Sequence, residues 1–196
     1  MKMLKTSFLM LGFLLSFGLI KAQDTNLASG DVSVLKDAKT INVEIVYDKV
    51  SVGDYSKESE YITHKKDEMN AKNDKSGDAW EVKWNDAKID NYRPKFVEGL
   101  CKYSELTYDS TAKYTLIFKV TFIEPGYQIA ISKKASQVEG TITIVETANR
   151  NKKIATMSVE RGGGYFRGGA YDFAQRIAEA YFVTGKKAGT IIKKGK

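Results

Sequence analysis

The sequence predicts an α+β domain: an antiparallel, possibly mixed, sheet of about four strands with helices packed mainly on one face. Three observations carry this expectation. Apolar side chains alternate with period two in segments early and late in the chain, the mark of half-buried strands. Between and after them apolar residues recur at three-and-four spacing, the mark of amphipathic helices. Only one side of each alternating strand is apolar, so only one face of the sheet needs covering.

The elements follow in order. Residues 1–5 carry two lysines and no acid, residues 8–20 are apolar apart from Ser16, and Lys21-Ala22-Gln23 follows. A basic start, an apolar run of roughly 13 residues and a small residue at the exit make a secretory signal peptide. The run falls short of the ~20 apolar residues a spanning helix needs. The expected products are a cleaved leader, 1–22, and a single domain, 23–196, with a short basic C-terminal tail.

Residues 23–37 are polar and read as a lead-in. In residues 40–47, Ile41, Val43, Ile45 and Tyr47 face one way, and residues 50–55 extend this strand past a bend to Gly53-Asp54. The composition of residues 58–72 predicts a helix. Asp78 and Glu81 supply acceptors for the free amides of a second helix, on which Trp80, Trp84 and Ala87 share a face. Pro94 suits the first turn of a third helix, whose stripe is Phe96, Val97, Leu100 and Cys101. Residues 113–123, 136–146 and 153–160 are strands, with a turn at Pro125-Gly126 and a hairpin loop over residues 148–151. A glycine-rich loop, 162–169, leads into a final helix over 170–184. Phe173, Ile177, Ala180, Tyr181 and Thr184 form its stripe, and Gly185 stands where a C-cap glycine belongs.

Charge and rare residues exclude several functions. The chain's +7 comes from 31 basic and 24 acidic residues. Without the leader it is 28 against 24, and Lys186, Lys187, Lys193, Lys194 and Lys196 sit near the end, leaving a nearly neutral body. A nucleic-acid binder spreads its positive charge across a folded face, so no nucleic-acid partner is expected. Cys101 is the only cysteine. It is far from the cut, so a lipid-anchored form is not expected, and a domain of this size builds a core without disulfides. One histidine, His64, disfavours serine triads and His-rich zinc sites. No nucleotide, zinc-protease or calcium-loop motif is present. No cofactor is expected.

Three groups of residues remain as candidates. Arg161, Gly162, Gly163, Gly164, Tyr165, Phe166 and Arg167 form a glycine-rich loop before a helix, where free amides and arginines can take an anion or an aromatic tip can meet a partner. A pliant strand-to-helix crossing is the alternative reading. Trp80 and Trp84 could stack on sugars, although their spacing is also that of a core stripe. Glu60, His64 and Glu68 line one helical face, as metal ligands or as members of solvated i,i+4 ion pairs. Carboxylate pairs such as Asp86 and Asp90 are too common here to name a catalytic acid and base.

The strand from Asn42 to Asp48 leading to Ser51-Val-Gly-Asp54, then Gly77-Asp-Ala-Trp80 with Trp84, and Tyr92-Arg-Pro-Lys-Phe96 carry a resemblance. So do Glu124-Pro-Gly126 and Ala170-Tyr-Asp-Phe173 with Arg176. Over nearly all of the chain after the leader, it resembles a group of uncharacterised secreted proteins of Gram-negative envelopes. The late strand–strand–glycine loop–helix order is similar, more loosely, to the α/β domain of curli-assembly and TolB-type envelope accessory proteins. The leader implies a periplasmic or secreted protein, with no transmembrane segment once it is removed. The second resemblance implies assembly or scaffolding. The lack of a catalytic set, with the aromatic glycine loop and the basic tail, leads to the expectation of a non-enzymatic binding or assembly-accessory module whose partner is an envelope protein or glycan. The alternatives are a glycan-binding protein using Trp80 and Trp84, and a hydrolase built from carboxylates.

Overall fold

The apolar face of one sheet and the helices laid on it make a single continuous core of buried side chains. The computed structural model describes residues 25–129, 132–161 and 172–196, so the leader 1–22 and the loop residues Gly162 to Arg167 lie outside the described residues. The strands are β1 (Thr25–Gly30), β2 (Thr40–Val52), β3 (Thr107–Tyr108), β4 (Tyr114–Glu124), β5 (Tyr127–Ile129), β6 (Ser132–Lys134), β7 (Gln137–Glu146) and β8 (Asn149–Val159). The helices are α1 (Glu58–Lys72), α2 (Ser76–Ala87), α3 (Arg93–Ser104) and α4 (Phe173–Gly195), with a π-helical segment, Lys88–Tyr92, joining α2 to α3.

The α+β class holds, but the sheet differs from the expectation. It has six strands in the order β1-β8-β7-β4-β2-β3. β4, β7, β8 and β1 pair antiparallel, whereas β2 runs parallel to both β4 and β3. The sheet is therefore mixed. Parallel neighbours need a long crossover, and α1, α2 and α3 all lie within the connection from β2 to β4. The polar lead-in hides β1: it is an edge strand whose side chains are mostly exposed, so no alternation reveals it.

One face of the sheet is dry. Ile41 and Val43 of β2, Leu116 and Phe118 of β4, Ile142 and Ile144 of β7, and Met157 of β8 are buried there. Phe96 of α3 stacks on Phe118 at 5.4 Å, and Tyr181 of α4 meets Phe118 edge-on at 6.0 Å. The other face is polar and is held by its own pairs. Arg150 grips Glu44 with two hydrogen bonds of 2.6 and 2.7 Å. Asn42, Thr115 and Thr147 form a chain of hydrogen bonds that ends on the Ala112 carbonyl.

Two helix ends depart from expectation. Asp78 and Glu81 do not cap α2; its N-cap is Lys75 with φ of 60°. Both carboxylates instead clamp Lys66 of α1, at 3.0 and 2.9 Å, tying the two helices together. Gly185 is not a C-cap, and the basic C-terminal segment is not a tail. Helix α4 continues to Gly195 with Ala188, Gly189 and Ile192 buried. Gly185 sits there because α3 comes close: a Cβ on it would stand 2.2 Å from the Phe96 carbonyl oxygen. Gly99 and Gly189 serve the same approach, facing Phe182 and Leu100. The contacts advance together along both chains, so α3 and α4 run parallel. Lys196 at the end of α4 donates to the Ser104 carbonyl at the end of α3, a cation where that helix exposes unpaired carbonyls.

Candidate functional site

Trp80 and Trp84 do project from one face of α2, four residues apart, but that face is turned inward. Trp84 has no exposed surface and Trp80 keeps 9%. The rings stack at 5.5 Å, Tyr61 of α1 meets both, and Phe173 of α4 packs against both at 5.7 and 5.4 Å. The pair is therefore core and does not form the exposed sugar platform considered from sequence. Helical spacing cannot separate the two outcomes; the covering rings of Tyr61 and Phe173 decide it.

The edge of this aromatic cluster opens into a groove of about 760 Å³. Tyr61, Met69, Trp80 and Phe173 line its apolar part. Lys65, Glu68 and Lys72 of α1, Lys83 of α2, Asp172 at the N-cap of α4 and Arg176 of α4 contribute its polar rim. Across from them stand Pro125 and Gly126, the turn between β4 and β5, and Tyr127, which opens β5. This turn is firmly built. Gly126 has φ of 62°, its amide donates to Glu124 Oε1 at 3.0 Å, and Ser136 Oγ donates to the Pro125 carbonyl at 2.7 Å. Arg176 reaches across to the Gly126 carbonyl at 3.3 Å, and burial pushes its guanidinium below the usual arginine range.

Both ends of the glycine-rich loop stand at this end of the sheet. Of its candidate residues only Arg161 is described. Its Nε donates to Glu139 Oε2 at 2.8 Å, and its guanidinium lies 3.7 Å from the centre of the Phe122 ring, covering an otherwise open apolar side chain. Arg161 is thus committed to the sheet. Gly162, Gly163, Gly164, Tyr165, Phe166 and Arg167 lie outside the described residues. The chain returns at Asp172 on the rim of the groove, where that carboxylate caps α4 by accepting from the Ala174 amide at 2.9 Å.

The groove's carboxylates are held ionised. Glu68 accepts hydrogen bonds from Lys72 and Lys65, at 2.6 and 2.9 Å, and these pull its carboxyl down to about 2. Burial works against the charge on Asp172, but its bonds to Lys83 and the Ala174 amide outweigh this and keep it below the usual range. General acid catalysis needs a carboxyl that still holds its proton near neutral pH, which neither group does. Burial raises the Tyr61 hydroxyl to about 12. The residues of the Glu60, His64 and Glu68 stripe are likewise spoken for. Glu60 accepts from Ser56, and His64 lies 5.4 Å from the Tyr55 ring. Among the described residues no group of three His, Cys, Asp or Glu side chains is placed to hold a metal. No helix among them is long and apolar enough to cross a membrane.

The part of the groove that sequence reasoning missed is the β4–β5 turn with Tyr127. Pro125-Gly126 signals a turn, but no local pattern says that it will face α1 and α4.

No family model matches this chain, and no curated protein matches it. Among solved structures the chain is similar to the PelC dodecamer from Paraburkholderia phytofirmans, at 12% identity and a TM-score of 0.36, over 85% of this chain and 98% of that one. A single-residue variant of that dodecamer gives 12% identity and a TM-score of 0.35 over the same shares.

Proposed function

We propose that this chain is an exported, non-enzymatic binding module of the cell envelope, and that the groove between α1, α2, α4 and the β4–β5 turn is its binding seat. One observation carries the reading: an apolar floor of Tyr61, Trp80 and Phe173 opens to solvent inside a ring of charged side chains. Concave sites with an apolar floor and a few placed polar groups are where ligands are taken. Held ionised by their ion pairs, Glu68 and Asp172 are unsuited to act as general acids and their charges are spent on lysines, which supports a binding seat. The leader-like first 22 residues support export, and the partner is an envelope protein that lays an apolar side chain on the floor.

A second reading, a glycan ligand, is favoured by Tyr127. The residue is 42% exposed beside the floor, and its ring offers a face for a sugar to stack on.

Site-specific photo-cross-linking in the native envelope tests both. A photoreactive residue at Tyr127 should yield a discrete adduct, and the same group at Val46, on the open face of the sheet, should yield none. Mass spectrometry of the adduct distinguishes protein from glycan. Equal labelling at the two positions, or none at Tyr127, would refute the seat. Isolated protein beginning at Met1 instead of Gln23 would refute export.

A further inference from the structure

The approach of α3 to α4 leaves a second concavity on the outer seam of the pair, about 490 Å³, lined by Lys102, Tyr103, Glu179, Phe182, Lys186 and Lys187. From this geometry we infer that the chain binds an acidic polysaccharide, one carrying carboxylates along its length, in the α3–α4 seam. The site goes beyond the groove proposed above and shares no residue with it.

The charge is assembled by the fold. Lys102 comes from α3 and Lys186 and Lys187 from α4, more than 80 positions away in sequence. The close backbone contact at Gly99, which faces Phe182 and Lys186, brings them to one seam. Elsewhere lysines are commonly spent on carboxylates: Lys66 on two, Lys72 and Lys65 on Glu68, Lys95 on Glu98 and Lys193 on Glu105. Lys102, Lys186 and Lys187 have no carboxylate within ion-pair distance among the described residues. Two of them, Lys186 and Lys102, gather instead around a ring. The Lys186 ammonium lies 4.9 Å from the centre of Tyr103 and that of Lys102 lies 6.0 Å from it. Among the described residues one acid, Glu179, lines the seam with them.

The chemistry fits a sugar acid. Half-buried Tyr103 and Phe182 can take the C–H faces of sugar rings, as aromatic side chains do. Three flexible point charges suit carboxylates spaced along a polymer better than one compact phosphate, for which a planar arginine fork is the usual device. A bilayer is the less apt occupant. Surface binding to membranes draws on exposed apolar anchors beside the basic residues. The large apolar side chains that stand exposed here, such as Val82, Ile89 and Ile129, belong to other elements, and none belongs to α3 or α4.

Isothermal titration of the full domain with polygalacturonate tests the inference, with neutral dextran of matched length and phosphatidylglycerol vesicles as comparators. Binding to polygalacturonate is expected, weakening as salt shortens the reach of the lysines, with none to dextran. Replacing Lys102, Lys186 and Lys187 together by glutamine should weaken it on the order of tenfold, three solvated ion pairs being lost. Tyr103→Leu, which keeps every charge, should weaken it about fivefold through lost stacking. Val46→Ala, on the open face of the sheet and outside both concavities, should leave it unchanged. Circular dichroism confirms that each variant is folded. Equal binding by the glutamine variant, equal binding to dextran, vesicle binding without polygalacturonate binding, or loss in the groove variant Tyr127→Ala but not in the glutamine variant would each overturn the inference.

Discussion

Trp84 donates its indole N–H to Glu58 Oε1 at 2.7 Å, and the same oxygen receives the Lys88 ammonium at 2.8 Å. One carboxylate from the first turn of α1 thus satisfies a buried indole and a cation from the π-helical segment. The ion-paired side chains are only 18% and 17% exposed, and Lys88 also lies 5.2 Å from the Tyr47 ring. Glu58→Ala orphans both donors in a low-dielectric setting. It is expected to cost about 2–4 kcal/mol in urea unfolding. Glu58→Gln, which keeps the acceptor, should cost less than half as much. Equal costs would show that the indole bond is immaterial.

Gly185→Ala sets helix propensity against packing. In an open helix alanine stabilises relative to glycine by about 1 kcal/mol. At this position the new Cβ would meet the Phe96 carbonyl at 2.2 Å and the Leu100 amide nitrogen at 3.0 Å, both backbone atoms that cannot rotate aside. Packing should win, with a net loss of about 2–3 kcal/mol and a lower Tm by calorimetry. A raised Tm would mean that α3 and α4 do not touch there.

Glu68 should titrate near 2 by carbon-detected NMR, because Lys72 and Lys65 hold its charged form. Removing both lysines (Lys72→Ala with Lys65→Ala) should return it toward its ordinary 4.5. Its folded value lies below its unfolded one, so the stability it contributes is complete above about 4.5 and is lost as pH falls toward about 2. With its side chain 36% exposed, added salt should shrink the shift.

Arg161→Ala strips the cover from Phe122 and removes the bond to Glu139. A loss of about 1 kcal/mol is expected. Arg161→Lys restores the charge without the flat guanidinium and should recover less than half of that. Full recovery would assign the effect to the ion pair alone.

The sequence carried the parts of this fold that bury one face. The alternation through Ile41 and Val43, and through Leu116, Phe118 and Val120, gives β2 and β4. The α1 expectation of 58–72 coincides with the observed helix. Pro94 lies in the first turn of α3 as expected. What escaped was non-local. The polar residues of β1 alternate with nothing because only Thr25 is buried. The parallel pairing of β2 with β4 depends on where three intervening helices deliver the chain. Gly185 resembles a stop signal until α3 is placed beside it, and Asp78 resembles a cap until Lys66 arrives. For the candidate site, Trp80 was legible as an aromatic on a buried-capable face. Its place at the edge of a groove required Phe173 from the far end of the chain and Tyr127 from a hairpin.

The parallel pairing of β2 with β4 also bears on how the protein acquires its shape. Asn42 and Thr115, bonded across that pair, are 73 positions apart, whereas β4, β7 and β8 pair in sequence order. Closing the longer loop must precede any reward from its contacts. The three-stranded meander should therefore assemble early, with β2 added late, once α1 to α3 have shortened the span between it and β4. Pulsed hydrogen exchange would then protect the amides of β7 before those of β2.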